Sequence, residues 1–388
     1  MTEQQTSVAP SELEDFLRKY NKGLRIVVEG AQADTGQTPQ ATVWTKNKAK
    51  LYRYEPEKPK KYPVPILIVY ALINRPYVLD LIPGNSLIEY LVGEGFDVYM
   101  LDWGIPGDED KDLNFEDYVL DYLPRAAKKV MRISGSEEFT LFGYCMGGTM
   151  SGMYASLFPE HLKNLVLLTT PVSFPREEIG LYKIFTDSKY LSPGLLADAF
   201  GNIPGEMIDT GNRMLKPVTN YIGTYVSMWE RIFDEKPMET WLAMNKWVND
   251  GPPFPGAAFR QWITDFYQHN KLVKGEIYLR GRRVDLSNIK VPLLNIAGKK
   301  DHICTLPQAE ATMDLVSSED KEFFVLDAGH VGLMTGRGAK KGLWPKLSGW
   351  LAERSSLGFS DAIWVGVRPL PIALQHACFA GFQHATPF

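Results

Sequence analysis

Cysteine is scarce in this chain. Only Cys145, Cys304 and Cys378 occur in 388 residues, an odd number at wide spacing, which excludes a disulfide framework and fits a reducing compartment. Metal patterns are missing too: the six histidines form no His-Glu-x-x-His and the cysteines no Cys-x-x-Cys, so no metal is expected. A phosphate-binding glycine loop is likewise absent, and no cofactor is implied. Apolar runs stop short of the roughly 18 residues that a membrane span needs. Residues 1–16 carry Glu3, Glu12, Glu14 and Asp15 and no signal-peptide core, so the expected location is the cytoplasm. A formal charge of −4 gives no broad basic field, which argues against a nucleic-acid partner. Repeats at solenoid periods are also lacking.

What is there suffices for a large core. The chain is 45% hydrophobic and 23% charged, enough for one large domain with an insertion or for two domains. Ser11 to Tyr20 reads as a capped amphipathic helix whose stripe packs on its own domain or on a second subunit. Leu51 to Tyr54 alternates as a strand, and the basic runs Lys46 to Lys50 and Lys58 to Lys61 read as solvated turns. A continuous apolar run from Pro65 to Ala71 fits a parallel strand buried on both faces, and Gly95 to Leu101, Phe139 to Phe142, Asn164 to Thr170 and Val291 to Gly298 read as further strands. Between them lie a helix from Ser86 to Gly93 and one carrying Phe115, Tyr118, Tyr122, Ala126, Val130 and Ile133, restarted or kinked at Pro124. A helix near Gln308 to Val316, a strand Glu322 to Leu326 and a helix around Leu343 to Glu353 complete the series. Alternating strand and helix predict an α/β fold with a mostly parallel sheet.

The alternation lapses over residues 174–285, where Trp229, Trp241, Trp247, Trp262, Tyr267 and Tyr278 punctuate Gly- and Pro-interrupted segments. That texture predicts an inserted cap whose aromatics serve chiefly as its core. The expected organisation is an N-terminal helical segment (1–40), a core in two parts (41–173 and 286–356), the cap between them, and a tail (357–388) with only Asp361 and Arg368 charged and no clear period.

The chemistry is expected at Gly143-Tyr144-Cys145-Met146-Gly147-Gly148, where a strand meets a helix through a sharp turn. Gly143 and Gly147 let backbone pass closely, as a nucleophile elbow requires. The nucleophile there is usually serine; here it is Cys145. A thiol at a helix N-terminus faces the positive end of the dipole, which favours the reactive thiolate, and the Met146 N–H would meet a developing oxyanion. A small buried cysteine without chemistry is the plain alternative. Partners decide between the two. α/β-hydrolases order their triad nucleophile, acid, His from strand-end loops, and Asp301 follows the strand ending at Ala297 while His330 follows the last strand. His302 and Asp327 stand close by, chemically able, but do not fit chain order and strand-end position jointly.

These segments resemble polyhydroxyalkanoate synthases, specifically the class III and class IV catalytic subunits. The resemblance is carried by Ile68 to Tyr77, Asp97 to Gly104, Gly143 to Gly148, Gly201 to Glu206, Phe259-Arg260-Gln261-Trp262, Asp265-Phe266-Tyr267-Gln268, Asp301-His302 and Gly329-His330-Val331-Gly332, and spans roughly residues 10–355. The wording around Tyr70 and Trp103 is closer to class IV. The resemblance implies an α/β-hydrolase fold with a cap over the site. It also implies polymerisation of short-chain (R)-3-hydroxyacyl-CoA with release of CoA. Cys145 would carry the growing chain, His330 would act as base, and Asp301 would orient His330 or act on the incoming 3-hydroxyl. A second oxyanion donor would come from Leu72 or Ile73, of which Ile73 is preferred. Also implied are a small helical second subunit, self-association, and residence at the surface of polymer granules. A cysteine-dependent acyl-CoA thioesterase or esterase of the same fold, and a non-catalytic granule-binding protein, are the competing readings.

Overall fold

The computed structural model describes residues 10–29, 32–56 and 59–355. Residues 1–9 and the tail from 357 lie outside the described residues. Eight strands form one sheet: β1 (Gln40–Lys46), β2 (Ala49–Tyr54), β3 (Ile66–Val69), β4 (Val98–Asp102), β5 (Phe139–Tyr144), β6 (Leu162–Leu168), β7 (Leu293–Gly298) and β8 (Lys321–Leu326), in the order β1-β2-β4-β3-β5-β6-β7-β8. The hairpin β1–β2 is antiparallel to its neighbours and β4 to β8 run parallel with β3. Every residue of β3, β4, β5 and β7 is buried. This is why these strands read as largely apolar runs rather than as alternation.

Helices α1 (Pro10–Glu29), α2 (Leu87–Glu94), α3 (Leu123–Ser134), α4 (Met146–Leu157) and α5 (Trp344–Ser355) accompany the sheet. Ser86 caps α2 by accepting from Glu89 N–H, and Gly95 ends it in the left-handed region at φ 99°, the usual reason for glycine at that place. The kink expected at Pro124 takes a specific form. The segment Tyr118–Tyr122 is π-helical and Leu123 N–H donates to Tyr118 O, so the ladder widens by one residue just before a proline that has no N–H to give. The single helix expected over 308–316 is instead two short ones, Leu306–Glu310 and Thr312–Leu315.

The basic run at Lys46 to Lys50 holds the expected turn at Asn47–Lys48, but as the tip of a hairpin with two of its lysines in ion pairs. Lys46 and Lys50 lie in the hairpin strands, Asn47 turns between them at φ 50°, and Lys46 and Lys48 pair with Asp121 and Asp110 at 2.8 Å each. Part of α1 packs on the helix Thr224–Glu230, with the Phe16 and Trp229 rings 6.2 Å apart and Trp229 lying against Gly23. The rest of its stripe, including Leu13, Leu17, Leu24 and Val27, is exposed.

Between β6 and β7 the chain leaves the sheet for a series of helices, among them Pro193–Phe200, Gly205–Arg213, Glu235–Asn249 and Gly256–Gln261. The parallel arrangement brings the carboxyl ends of β5, β6, β7 and β8, neighbours in that order, to one edge of the sheet. In open α/β sheets that edge is where ligands bind.

Candidate active site

Each of these four strand ends is followed within a few residues by a polar group of the site. Cys145 follows β5 directly, with φ 53° and ψ −127°, and caps α4. A non-glycine residue at positive φ costs about 1–3 kcal/mol and survives only where its surroundings enforce it. They do so here: Cys145 N–H donates to Leu168 O at 3.0 Å, and Gly148 N–H returns to Cys145 O at 2.8 Å. A Cβ on Gly147 would run into the backbone of Val69 and Tyr70, and one on Gly148 into the Thr170 side chain. The elbow can sit so close to the sheet only because glycine stands at both places.

The imidazole of His330 donates from Nδ1 to Asp301 Oδ2 at 2.7 Å, and Cys145 lies near enough to act on its charge. Asp301 Oδ2 accepts in addition from Thr169 Oγ1, while Oδ1 accepts from the N–H groups of Ile303 at 2.8 Å and Cys304 at 3.0 Å. Cys145, Asp301 and His330 are all nearly inaccessible, at 9%, 7% and 6% exposure. Burial opposes charge on His330, but the hydrogen-bonded Asp301 carboxylate and Cys145 outweigh it and raise its pKa to about 10. Burial also works against the Asp301 carboxylate, yet His330, Thr169 and the Cys304 N–H hold its pKa below the ordinary range. A buried imidazolium flanked by carboxylate and sulfur is the arrangement that activates a thiol.

The two neighbours set aside on sequence grounds behave differently. Asp327 is exposed and pairs with Lys300 at 2.9 Å. His302 is half-buried, its pKa lowered first by burial and then by Lys216. Met146 and Ile73, the expected oxyanion donors, both line a cavity of ≈ 220 Å³ that also reaches Cys145. Met146 is the first residue of α4, whose N–H has no acceptor within the helix. The remaining wall is apolar and comes largely from the stretch between β6 and β7, with Ile203, Phe254, Phe259, Trp262, Ile263 and Tyr267. Trp262 and Tyr267 are therefore cavity wall, whereas Trp229 packs on α1 and Trp247 donates to Arg75 O. Beneath the site the Tyr70 and Tyr144 rings stack 4.9 Å apart. Among the described residues no group of three or more His, Cys, Asp or Glu stands ready to hold a metal ion, and no helix is long and apolar enough to cross a membrane.

One polar partner in this geometry escaped the sequence reading. Thr169 sits in Leu168-Thr169-Thr170-Pro171, where two hydroxyl residues and a proline end an apolar strand. That break is the signal that could have drawn attention to it.

Fold and elbow together define an α/β hydrolase in which Cys145 occupies the strand-to-helix turn, and residues 64–337 match the alpha/beta hydrolase fold family. A carboxylesterase structure from Nitrososphaera gargenis, 15% identical and covering 81% of this chain and 98% of its own, superposes with a TM-score of 0.50, a likeness of fold alone. Residues 29–91 match the Poly-beta-hydroxybutyrate polymerase (PhaC) N-terminus. The Poly(3-hydroxyalkanoate) polymerase subunit PhaC of Haloferax mediterranei is 42% identical, over 85% of this chain and 67% of its own length. The proteins of that name from Synechocystis and Allochromatium vinosum are 38% and 37% identical, each over 88% of this chain and over 92% and 96% of their own lengths. The chain belongs to the family of poly(3-hydroxyalkanoate) polymerase subunits.

Proposed function

We propose that this enzyme polymerises (R)-3-hydroxyacyl-CoA, chiefly 3-hydroxybutyryl-CoA, through a thioester on Cys145. The observation that carries the reading is the buried Asp301–His330 pair beside Cys145, which lines a largely apolar cavity. The Cys145 sulfur attacks the carbonyl of the CoA thioester, with the N–H groups of Met146 and Ile73 receiving the oxyanion. CoA leaves as a thiol, taking the proton that His330 holds. The now neutral imidazole accepts the 3-hydroxyl proton of the next monomer as that oxygen attacks the acyl group on Cys145. An ester forms, the Cys145 thioester breaks, and the lengthened chain, now a CoA thioester, returns to Cys145 by the first step.

Asp301 orients His330 in this scheme rather than touching substrate. Its two oxygens already accept from Thr169, His330, Ile303 and Cys304. The cavity of ≈ 220 Å³ beside Cys145 is bordered by bulky apolar side chains such as Phe259 and Ile263, which suits a short acyl unit. The helices between β6 and β7 act as a cap that keeps water from the acyl-enzyme. A small second subunit of the class III or IV kind, self-association and work in the cytoplasm at the granule surface belong to the same reading, and the exposed apolar residues of α1 suit such contacts.

Product analysis tests it. Purified protein with (R)-3-hydroxybutyryl-CoA, with and without a class III or IV partner subunit, should release CoA and deposit insoluble polyester. Free 3-hydroxybutyrate in stoichiometric yield would mean that water wins at the acyl-enzyme and that the protein is a thioesterase.

A further inference from the structure

We infer that Thr169 is a positioning residue of the site, its hydroxyl fixing the Asp301 carboxylate that in turn holds His330 for Cys145. The inference rests on the reading above of Cys145, His330 and Asp301 as one reacting unit.

Thr169 lies one residue past β6, wedged between the elbow and the acid loop. Leu168 O accepts from Cys145 N–H at 3.0 Å, and Thr169 N–H donates to Ile296 O of β7 at 2.7 Å. The residue is fully buried and has φ 45°, an outlier for a β-branched side chain. Threonine hydroxyls in such places usually bond to nearby backbone. This one instead donates to Asp301 Oδ2, 132 residues along the chain, and lies 3.3 Å from His330 Nδ1. Its single proton is committed to the carboxylate, leaving its lone pairs for His330 Nδ1–H.

The hydroxyl completes the set of donors that saturates the carboxylate. Oδ1 is anchored by two backbone N–H groups and Oδ2 by His330 and Thr169. Without Thr169, Oδ2 would keep only the group it is meant to orient, and a buried lone pair would go unmet, which favours protonation of the acid. The other titratable groups around Asp301 are Cys145, Cys304, His302, Tyr144, Tyr182 and Tyr267. Burial keeps the three phenols and Cys304 neutral through the working range, since it raises each of them, and lowers His302. Of these neighbours only His302 shares the acid side with Asp301, and the serine variant, which restores the hydroxyl beside an unchanged His302, separates the two.

The test compares Thr169→Val, Thr169→Ala and Thr169→Ser with the unmodified protein. The readouts are kcat and KM for CoA release from 3-hydroxybutyryl-CoA and the pH profile of Cys145 alkylation by iodoacetamide. Losing a hydrogen bond to a charged group should cut kcat by about tenfold or more in the Val and Ala variants. KM should change little and the acid limb of alkylation should move to higher pH. The Ser variant, which keeps the hydroxyl, should recover most of both. If Val does not fold, Ala against Ser still differs by one oxygen. Unchanged kcat and limb in Val or Ala would overturn the inference, as would an equal loss in Ala and Ser, which would assign Thr169 to packing. Hydrolysis instead of polymer in the unmodified protein would sink the polymerase reading, while the alkylation profiles would still decide on Thr169.

Discussion

Replacing Asp301 by Asn separates its two conceivable roles. The side chain keeps its shape, and its carbonyl can still accept from Ile303 and Cys304 N–H. Its NH₂ then faces the Thr169 hydroxyl and His330 Nδ1, both of which donate to Asp301 Oδ2 in the native site. Two donors cannot share that line, so His330 is driven to the tautomer protonated on the other nitrogen, which can no longer take a proton from sulfur or hydroxyl. The charge matters as well. Raising the His330 pKa from 6.5 to about 10 against burial corresponds to about 5 kcal/mol in favour of the imidazolium, and Asp301 is the largest of the groups that raise it. With Asp301→Asn, burial prevails and the imidazole is neutral at pH 7. CoA release should fall by about 10³- to 10⁴-fold, as when the aspartate of a serine-protease triad is amidated, and Cys145 alkylation at pH 7 should slow in parallel. The stability difference between the two proteins has a definite sign. The raised His330 contributes below about pH 6.5 and fades as pH climbs through about 10, while the depressed Asp301 contributes above the ordinary carboxylate range and fades below it. The native protein's advantage in urea should therefore be greatest at mildly acidic pH. Unchanged alkylation with loss of chain growth alone would refute the argument, because it would mean that Asp301 acts on the incoming hydroxyl and not on His330.

Further perturbations follow from the same geometry. Cys145→Ala should reduce CoA release to background while unfolding free energy changes by about 1 kcal/mol or less; measurable turnover would remove the nucleophile from Cys145. In Gly147→Ala the added methyl meets the backbone of Val69 and Tyr70, and overpacking of this kind should cost about 1–3 kcal/mol or more. Denaturant melts should record that loss together with lost activity, and a variant of native stability would contradict the tight elbow. Ile263, 8% exposed on the cavity wall, limits the room beside the thiol. Ile263→Ala should raise kcat/KM for 3-hydroxyhexanoyl-CoA relative to 3-hydroxybutyryl-CoA, and an unaltered ratio in competition assays would place the length limit elsewhere.

The elements that could be read from sequence are those whose signal is local. Ile66–Val69 is apolar throughout and Leu293–Gly298 nearly so because both faces are covered, and Asp301 and His330 drew attention because each follows a strand end in hydrolase order. β1 was missed because its inner and outer residues are both partly polar, and the lysines beside it looked like a solvated turn until the structure set Asp110 and Asp121 opposite them. Periodicity marks Trp262 and Tyr267 as buried but cannot say against what, and they proved to line the cavity. Thr169 is the extreme case, since its meaning lies in a hydroxyl that meets Asp301 only when β6 and β7 pair.

The saturation of Asp301 constrains the order of the proposed steps. With both oxygens occupied, His330 is the single base left to serve the thiol and the incoming hydroxyl, and an imidazolium cannot accept a second proton. The departing CoA must therefore carry a proton away before the next hydroxyl can be activated, so acylation of Cys145 has to be complete before chain growth begins. A thiol suits that sequence because its acyl ester stays reactive while it waits. The waiting is also the danger, since any water within reach of His330 would be activated as readily as the alcohol. Transfer wins over hydrolysis only while the apolar walls supplied by Ile203, Phe254, Phe259 and Trp262 keep that water out. In the proposed scheme the triad would make the acyl-enzyme, and the helices between β6 and β7 would decide that it ends in polyester.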